Sequence, residues 1–300
     1  MNIKLSKCSA AWLLAAVIIA RSSSYLFSKL LLGSMSLFTL LSVRFTVSFI
    51  ILIIIFRKSF HGLDAADLFR GVIIGLLFTA VMTFDMTALS HCSSSTVSFP
   101  VNSAVVIVPI INAAYTKVLP GRRTVLGSLT ALAGVAVLTL SQVGHSTFTG
   151  VIYGLLAAGF YSATIFVTGL FSRRSDPVVL GVIQVGVIGV CSLMISLLSG
   201  NLTLSLSPVS WVYILFLALI CTCFGFTLQP VCQKYVDTDT AGMLCAINPM
   251  STTLLGVLFL NESVNKVMLC GCALIILGIL IPQSRFLGHS TCNKRQVKGP

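Results

Sequence analysis

Residues 10–32 read AAWLLAAVIIARSSSYLFSKLLL, an apolar run broken only by the cations Arg21 and Lys29 and a few hydroxyls. At ~1.5 Å per residue, a helix of that length crosses a ~30 Å hydrocarbon core. Arg21 falls near the middle of the span, where an arginine costs ~2.5–3.5 kcal/mol even on the lenient insertion scale. Lys29 follows about two turns later. A lone helix gains nothing from these cations, so other segments must enclose it and offer Arg21 and Lys29 water, an acid or a ligand. Lys4 and Lys7 ahead of an apolar run also describe a secretory signal. Arg21 interrupts that run and no small-x-small cleavage site precedes the next span, so a retained helix is expected.

The composition supplies the enclosing segments. Of 300 residues, 56% are hydrophobic and 9% charged, and the mean hydropathy is +1.03. Soluble domains carry ~25% charged residues, so a soluble fold is excluded. An all-α polytopic membrane protein is expected, with room for roughly ten crossings and none for a folded soluble domain.

Hydropathy places the first five spans at residues 10–32, 37–56, 68–89, 96–118 and 124–142, and the polar connector 143–149 then divides the chain. Five more follow at 150–171, 178–199, 209–233, 241–260 and 266–281. The halves, residues 1–142 and 150–283, are thus spaced by about 140 residues, a repeat signal. The last span of each half carries glycines seven apart, Gly127/Gly134 and Gly271/Gly278, on one helix face where a neighbour can approach closely. Gly71/Gly75 form a similar close-packing pair. Residues 284–300 read as a basic, disordered tail held to anionic lipid.

Charge sets the orientation. With the N-terminus in the cytosol, fifteen of the nineteen basic residues fall inside, Lys266 alone falls outside, and Arg21, Lys29 and Arg44 lie in the membrane. This is a strong positive-inside bias, with both termini cytosolic in a cell (inner or plasma) membrane. Five spans per half is an odd number, so the second half is inverted relative to the first. The turn after span four reads Pro120-Gly121-Arg122-Arg123, inside, whereas its counterpart reads Leu260-Asn261-Glu262-Ser263, outside. Ten transmembrane helices as two inverted five-helix repeats put a binding site at the midplane between halves that rock around it.

Several stretches carry a resemblance: SSSYLFSK at 22–29, Arg44 early in span two, FDMTAL at 84–89, and Asn248-Pro249 followed by Leu260-Asn261-Glu262. With the order and topology of the spans, the chain resembles the EamA-type transporters of the drug/metabolite transporter superfamily from about Ala10 to Gln283. The resemblance implies a ten-helix carrier, often an exporter, of amino acids, metabolites or drugs. Three departures stand out: Ala20-Arg21 where relatives have Trp-Gly, Asp85 where they often have an amide, and Leu119-Pro120-Gly121 in place of a Leu-Gly-Glu box. A relative's substrate is therefore an unsafe guide.

The intramembrane charges mark the candidate site. Arg21, Tyr25 and Lys29 recur every four residues and share one helix face, which must look into the bundle or a wet cavity. Arg21 is too deep to snorkel; Lys29 and Arg44 either snorkel outward and fix packing or pair with Asp85. Asp85 is the one acid within an apolar span, either a proton-coupling group or a fixed counter-ion. Gln184, Gln229 and Asn248, like Asn102 and Asn112, hydrogen-bond substrate or neighbouring helices. Tyr25, Tyr161 and Phe160 stack on a planar substrate or pack. Pro109, Pro230 and Pro249 either free backbone carbonyls at the midplane or kink their helices.

No cofactor or metal is expected. Cys221/Cys223 and Cys270/Cys272 are two apart and point to opposed helix sides, no CxxC occurs, and His61, His91, His145 and His289 all fall in connectors or the tail. The net charge of +12 reports topology and implies no nucleic acid. The leading function is a secondary transporter, an exporter, of a small anionic or zwitterionic metabolite, amino acid or drug-like compound, with lipid around it and a homodimer compatible. A non-transporting receptor or scaffold of the same fold is the alternative. An intramembrane enzyme would need paired acids, a histidine cluster or a Ser–Lys dyad, of which the chain offers only Ser22 or Ser28 near Lys29.

Overall fold

The computed structural model describes residues 5–91, 100–140, 148–200, 207–260 and 266–290, and among them every regular element is helical. The turn 261–265, the 143–147 part of the mid-chain connector and the last ten residues lie outside the described residues. In the first half the helices are α1 (Lys7–Leu32), α2 (Leu37–Phe56), α3 (Ala65–His91), α4 (Ala104–Thr116) and α5 (Arg122–Leu140). In the second half they are α6 (Phe148–Phe171), α7 (Pro177–Leu198), α8 (Pro208–Gln233), α9 (Thr238–Leu244), α10 (Ile247–Leu260) and α11 (Lys266–Ser290). α11 continues nine residues past the end that hydropathy gives it. Residues 284–290, expected to open a disordered tail, are helical.

Local chemistry explains where the helices begin. Four of them start on a side chain that accepts an otherwise orphaned backbone N–H: Ser6 from Ser9 (3.1 Å), Ser36 from Thr39 (3.3 Å), Asp176 from Val178 (2.9 Å) and Ser207 from Ser210 (3.2 Å). Pro177 and Pro208 occupy the first turn of α7 and α8, where a missing N–H costs nothing. Once started, the helices are apolar on most sides, as lipid requires. Six are long and apolar enough to cross a bilayer, namely α1, α2 with its short 3-10 extension, α3, α6, α7 and α8. Residues Pro100–Thr116 and Lys266–Pro282 form shorter apolar helices.

The packing pairs are related by exchange of the two halves. α1 packs on α8 and α10, and its counterpart α6 packs on α3 and α4; α2 packs on α7, and α5 on α11. The α5–α11 seam is the closest of these. A Cβ on Gly127 would lie 2.6 Å from the Gly278 carbonyl oxygen, and one on Gly271 would lie 3.0 Å from that of Gly134. The glycines seven apart thus bring the two terminal helices into backbone contact, each supplying the other's neighbour. Gly71 and Gly75 do the same for α3 against Ile183 and Val187 of α7. Elsewhere the seams are filled by large side chains, with Phe45, Phe78 and Phe226 fully buried where α2, α3 and α8 meet.

A polar cavity between helices of both halves

Two local distortions shape the space between the halves. In α8 the segment Leu217–Phe224 is π-helical, so its turns are widened and one hydroxyl is turned inward. Thr222 donates to the Leu217 carbonyl at 3.0 Å and accepts from elsewhere. Between α9 and α10 the chain breaks at Cys245-Ala246, just ahead of Asn248-Pro249, and 3-10-type bonds such as Asn248 N to Cys245 O (3.0 Å) close the break. Of the three places at which the sequence allowed an interrupted helix, only Asn248-Pro249 adjoins a break; at Pro109 and Pro230 the helices run through, and the π-helical segment was not foreseen.

The cavity has a volume of about 50 Å³, space for a few water molecules. Six of the nine residues expected to form the site line it: Arg21, Tyr25, Arg44, Asp85, Tyr161 and Asn248. Arg21 comes from the middle of α1. Its guanidinium donates to Gln229 Oε1 and stands 4.3 Å over the Phe226 ring, with Phe78 and Tyr161 at 5.5 and 5.8 Å. Aromatic faces of this kind attract a cation without neutralising it. Gly225 makes the pose possible, since a Cβ there would lie 2.7 Å from Arg21 Cγ.

Arg44 is 2% exposed, and its partners are hydroxyls. Nε donates to Thr222 Oγ1 and Nη1 to Ser24 Oγ, each at 2.8 Å. Asp85, 4% exposed, accepts from the Tyr25 hydroxyl at 3.1 Å on both carboxylate oxygens. The expected Arg44–Asp85 pair is not formed, and Lys29 reaches away to the Leu89 carbonyl at 2.5 Å. Among the described residues no carboxylate lies within 4.0 Å of either the Arg21 or the Arg44 guanidinium. Asp85 is served instead by Tyr25 of α1, whose hydroxyl donates to the carboxylate. The wall therefore carries two guanidinium groups and one carboxylate that neutralise one another only across the cavity.

Three of the nine stand off the wall. Gln229 sits behind Arg21 and orients it. Lys29 is beyond the rim. Gln184 is fully buried and donates to the Phe226 carbonyl at 2.6 Å. Pro230 has no N–H to offer that carbonyl four residues earlier, so Gln184 supplies the missing donor. Asn248 lines the cavity and accepts from Ser22 Oγ at 2.7 Å, tying α1 to the α9–α10 break. Asn112 donates to Asp239 at 2.7 Å and joins α4 to α9 away from the cavity. Ser24 and Thr222, which hold Arg44, and Phe226 carried no sequence signal, since hydroxyls and aromatics are common in membrane helices. A buried arginine that needs acceptors is the one clue that points to such partners.

The EamA-like transporter family model matches the chain twice, over residues 8–140 and again over residues 148–282. The chain belongs to the EamA-like transporter family. It is 28% identical over 273 residues to an uncharacterized transporter of Archaeoglobus fulgidus, a match covering 91% of this chain and 85% of that protein. A second uncharacterized transporter of the same organism is 26% identical over 167 residues, covering 55% of this chain and 60% of its own. Among solved structures, one described only as "Crystal structure of protein" matches with a TM-score of 0.74 at 19% identity, over 91% of this chain and 96% of that one. That likeness concerns the fold. Together with the apolar helices, membership makes this EamA-like chain a multi-pass membrane protein of a transporter family, surrounded by lipid and handling a small molecule.

Proposed function

We propose that the protein is a secondary carrier, working as an exporter, for a small anionic or zwitterionic metabolite, amino acid or drug-like compound. One observation carries this reading: Arg21 and Arg44 line a single cavity, and among the described residues no carboxylate is in contact with either. Burying a charge is costly unless it is paired, and hydroxyl partners orient Arg44 without neutralising it. A carboxylate or similar group entering the cavity gives both guanidinium groups the fork geometry they lack, while Asp85 and Tyr25 offer an opposite pole for a substrate ammonium. No covalent step, and so no enzymatic activity, belongs to this reading.

In the same reading the chain crosses the membrane ten times. The six long spans are joined by α4, α5, the broken α9–α10 pair and α11, as two inverted repeats over residues 1–142 and 150–283. The exchange-related packing supports this arrangement. Both termini are then cytosolic in the cell membrane, and alternating access is a rocking of one half on the other about the cavity. A cavity of about 50 Å³ admits a metabolite only when α1 and α8 part.

Two measurements test the proposal. Impermeant cysteine labelling in a cysteine-free background should reach position 122 from the cytosolic side only; labelling from outside sinks the inverted arrangement. Counterflow of labelled organic anions in proteoliposomes should be saturable and fail for uncharged analogues. Binding of an anion without any translocation would replace the carrier with a receptor of the same fold.

A further inference from the structure

A second cavity, of about 350 Å³, opens at the end of the bundle where α3 begins, α6 turns into α7, and α8 ends. Arg173, Arg174 and Ser175 from the α6–α7 turn line it, with Lys234 and Tyr235 from the end of α8 and Asp67 from the start of α3. The turn is held in place. Arg70 Nη1 donates to Asp67 Oδ1 (3.2 Å), to Ser175 Oγ (2.8 Å) and to the Arg174 carbonyl (3.5 Å), so one guanidinium stitches α3 to the turn. Ser175 N returns to the Phe171 carbonyl at 3.0 Å.

Both acids of this cavity are occupied by that scaffold. Asp67 is engaged by Arg70, and Asp176 caps α7 by accepting from Val178 N at 2.9 Å. The Arg173, Arg174 and Lys234 side chains have no hydrogen-bond or ion-pair partner among the described residues. Three uncommitted cations on a fixed backbone thus face one polar space, too far along α8 from Phe226 to belong to the central cavity. We propose that this cavity binds a phosphate-bearing anion, either the headgroup of an anionic lipid or a soluble phosphate ester. A tetrahedral phosphate suits it better than a planar carboxylate, because its terminal oxygens, two on a lipid diester and three on a soluble monoester, point in different directions toward donors from two elements. The inference does not depend on the transport reading. The turn lies on the face where basic residues gather, where anionic headgroups are drawn to a membrane protein.

The test uses the purified full chain. Native mass spectrometry from mixed micelles compares retention of phosphatidylglycerol with phosphatidylcholine, and calorimetry titrates glycerol 3-phosphate and inorganic phosphate. The variant R173Q/R174Q/K234Q is compared with R57Q/K58Q/R122Q, which removes the same charge elsewhere on that face. The wild type is expected to retain the anionic lipid or to bind a phosphate probe, and the first triple variant to lose on the order of a hundredfold in affinity while the second loses little. Lipid retention alone assigns the headgroup, and phosphate binding alone assigns the soluble ester; either supports the site. No binding of any probe overturns it. Equal losses in the two triple variants also overturn it, since they show a diffuse basic face. If the first variant does not yield folded protein, K234E alone carries the same expectation, because Lys234 is partly exposed and its side chain holds no other described element.

Discussion

The two halves share a scaffold and differ in chemistry. Counting 140 residues on from the three charged residues of the cavity gives Tyr161 for Arg21, Gln184 for Arg44 and Gly225 for Asp85, while Ser22 falls on Ser162 and Pro109 on Pro249. The serines behave alike: Ser22 and Ser162 are both fully buried and donate to the carbonyl four residues earlier, at 2.8 and 2.6 Å. The charged positions do not. Arg44 is aimed at the cavity, whereas Gln184 is used up inside the wall on the Phe226 carbonyl. Where the first half has Asp85, the second has a hole, and the stem of Arg21 occupies it. Duplicated packing and unduplicated charge together give one polarised site on a two-fold frame.

The halves are most alike at the α5–α11 seam, so damage there should be global and have the widest effect, reaching folding and activity together. A Cβ on Gly278 would lie 2.5 Å from Ala131 N, which is backbone and cannot swing aside. Gly278→Ala should therefore cost ~1–3 kcal/mol by overpacking and Gly278→Val more, read as loss of the monodisperse peak in size exclusion and a lower melting temperature. Gly159→Ala, in α6 with nothing near its Cβ, should be neutral or slightly stabilising. Equal melting temperatures for Gly278→Ala and Gly159→Ala would show that the seam does not hold the halves together.

Next in reach, and confined to the cavity, is the change that makes the halves alike at their most different point. Arg44→Gln copies Gln184 into the first half and removes a buried, hydrogen-bonded charge. Truncating such a group in a recognition site costs ~2–5 kcal/mol, so organic-anion counterflow should fall by about thirtyfold or more. The hydroxyls of Ser24 and Thr222 remain, and an amide can reach them, so the fold should survive. Unchanged counterflow would remove Arg44 from the site.

Gly225→Ala probes the hole itself and should act more mildly. The new methyl meets Arg21 Cγ, a flexible stem, so the guanidinium shifts while the helices stay. Misplacement of a positioning group by ~1 Å can cost on the order of a hundredfold, and a partial shift should raise the KM for an anionic substrate about tenfold. A KM at the wild-type value, with the protein folded, would mean that Arg21 does not meet the substrate.

Much of this was legible in the chain. The apolar runs gave the helices, the seven-residue glycine spacing gave a close-packing face on α5 and on α11 without saying that the two meet, and a cation at mid-membrane depth gave Arg21 a place on a polar wall. The rest needed rotation and distance, which periodicity does not contain. Arg44 was allowed Asp85 as a partner, but the Tyr25 hydroxyl serves Asp85 and two hydroxyls hold Arg44, and nothing in helix spacing reveals which donors and acceptors meet. Thr222 faces Arg44 because of a π-helical turn, whose extra residue per turn leaves no mark in the composition of Leu217–Phe224. Gln184 was read as bonding either substrate or a neighbouring helix, and it does the second. The proline that claims it lies on the next helix, 46 positions away.

That pairing gives the smallest and most specific test of the difference between the halves. If Gln184 is part of the scaffold, Gln184→Leu should leave counterflow near the wild-type value, the reverse of Arg44→Gln. It should lower stability, because the Phe226 carbonyl then has neither a backbone nor a side-chain donor. In membrane helices such bonds are worth on average ~0.6 kcal/mol and at most ~1.7, so a shift of a few degrees in melting temperature is expected. Pro230→Ala restores the backbone N–H that normally satisfies this carbonyl. In that background Gln184→Leu should cost almost nothing, and the double-mutant cycle should return a coupling of the same size as the single loss. Additive effects would mean that the amide does not act through the proline-freed carbonyl. A fall in counterflow as large as that of Arg44→Gln would place Gln184 beside Arg44 as a second substrate-binding residue, and the halves would then be more alike in chemistry than the cavity makes them.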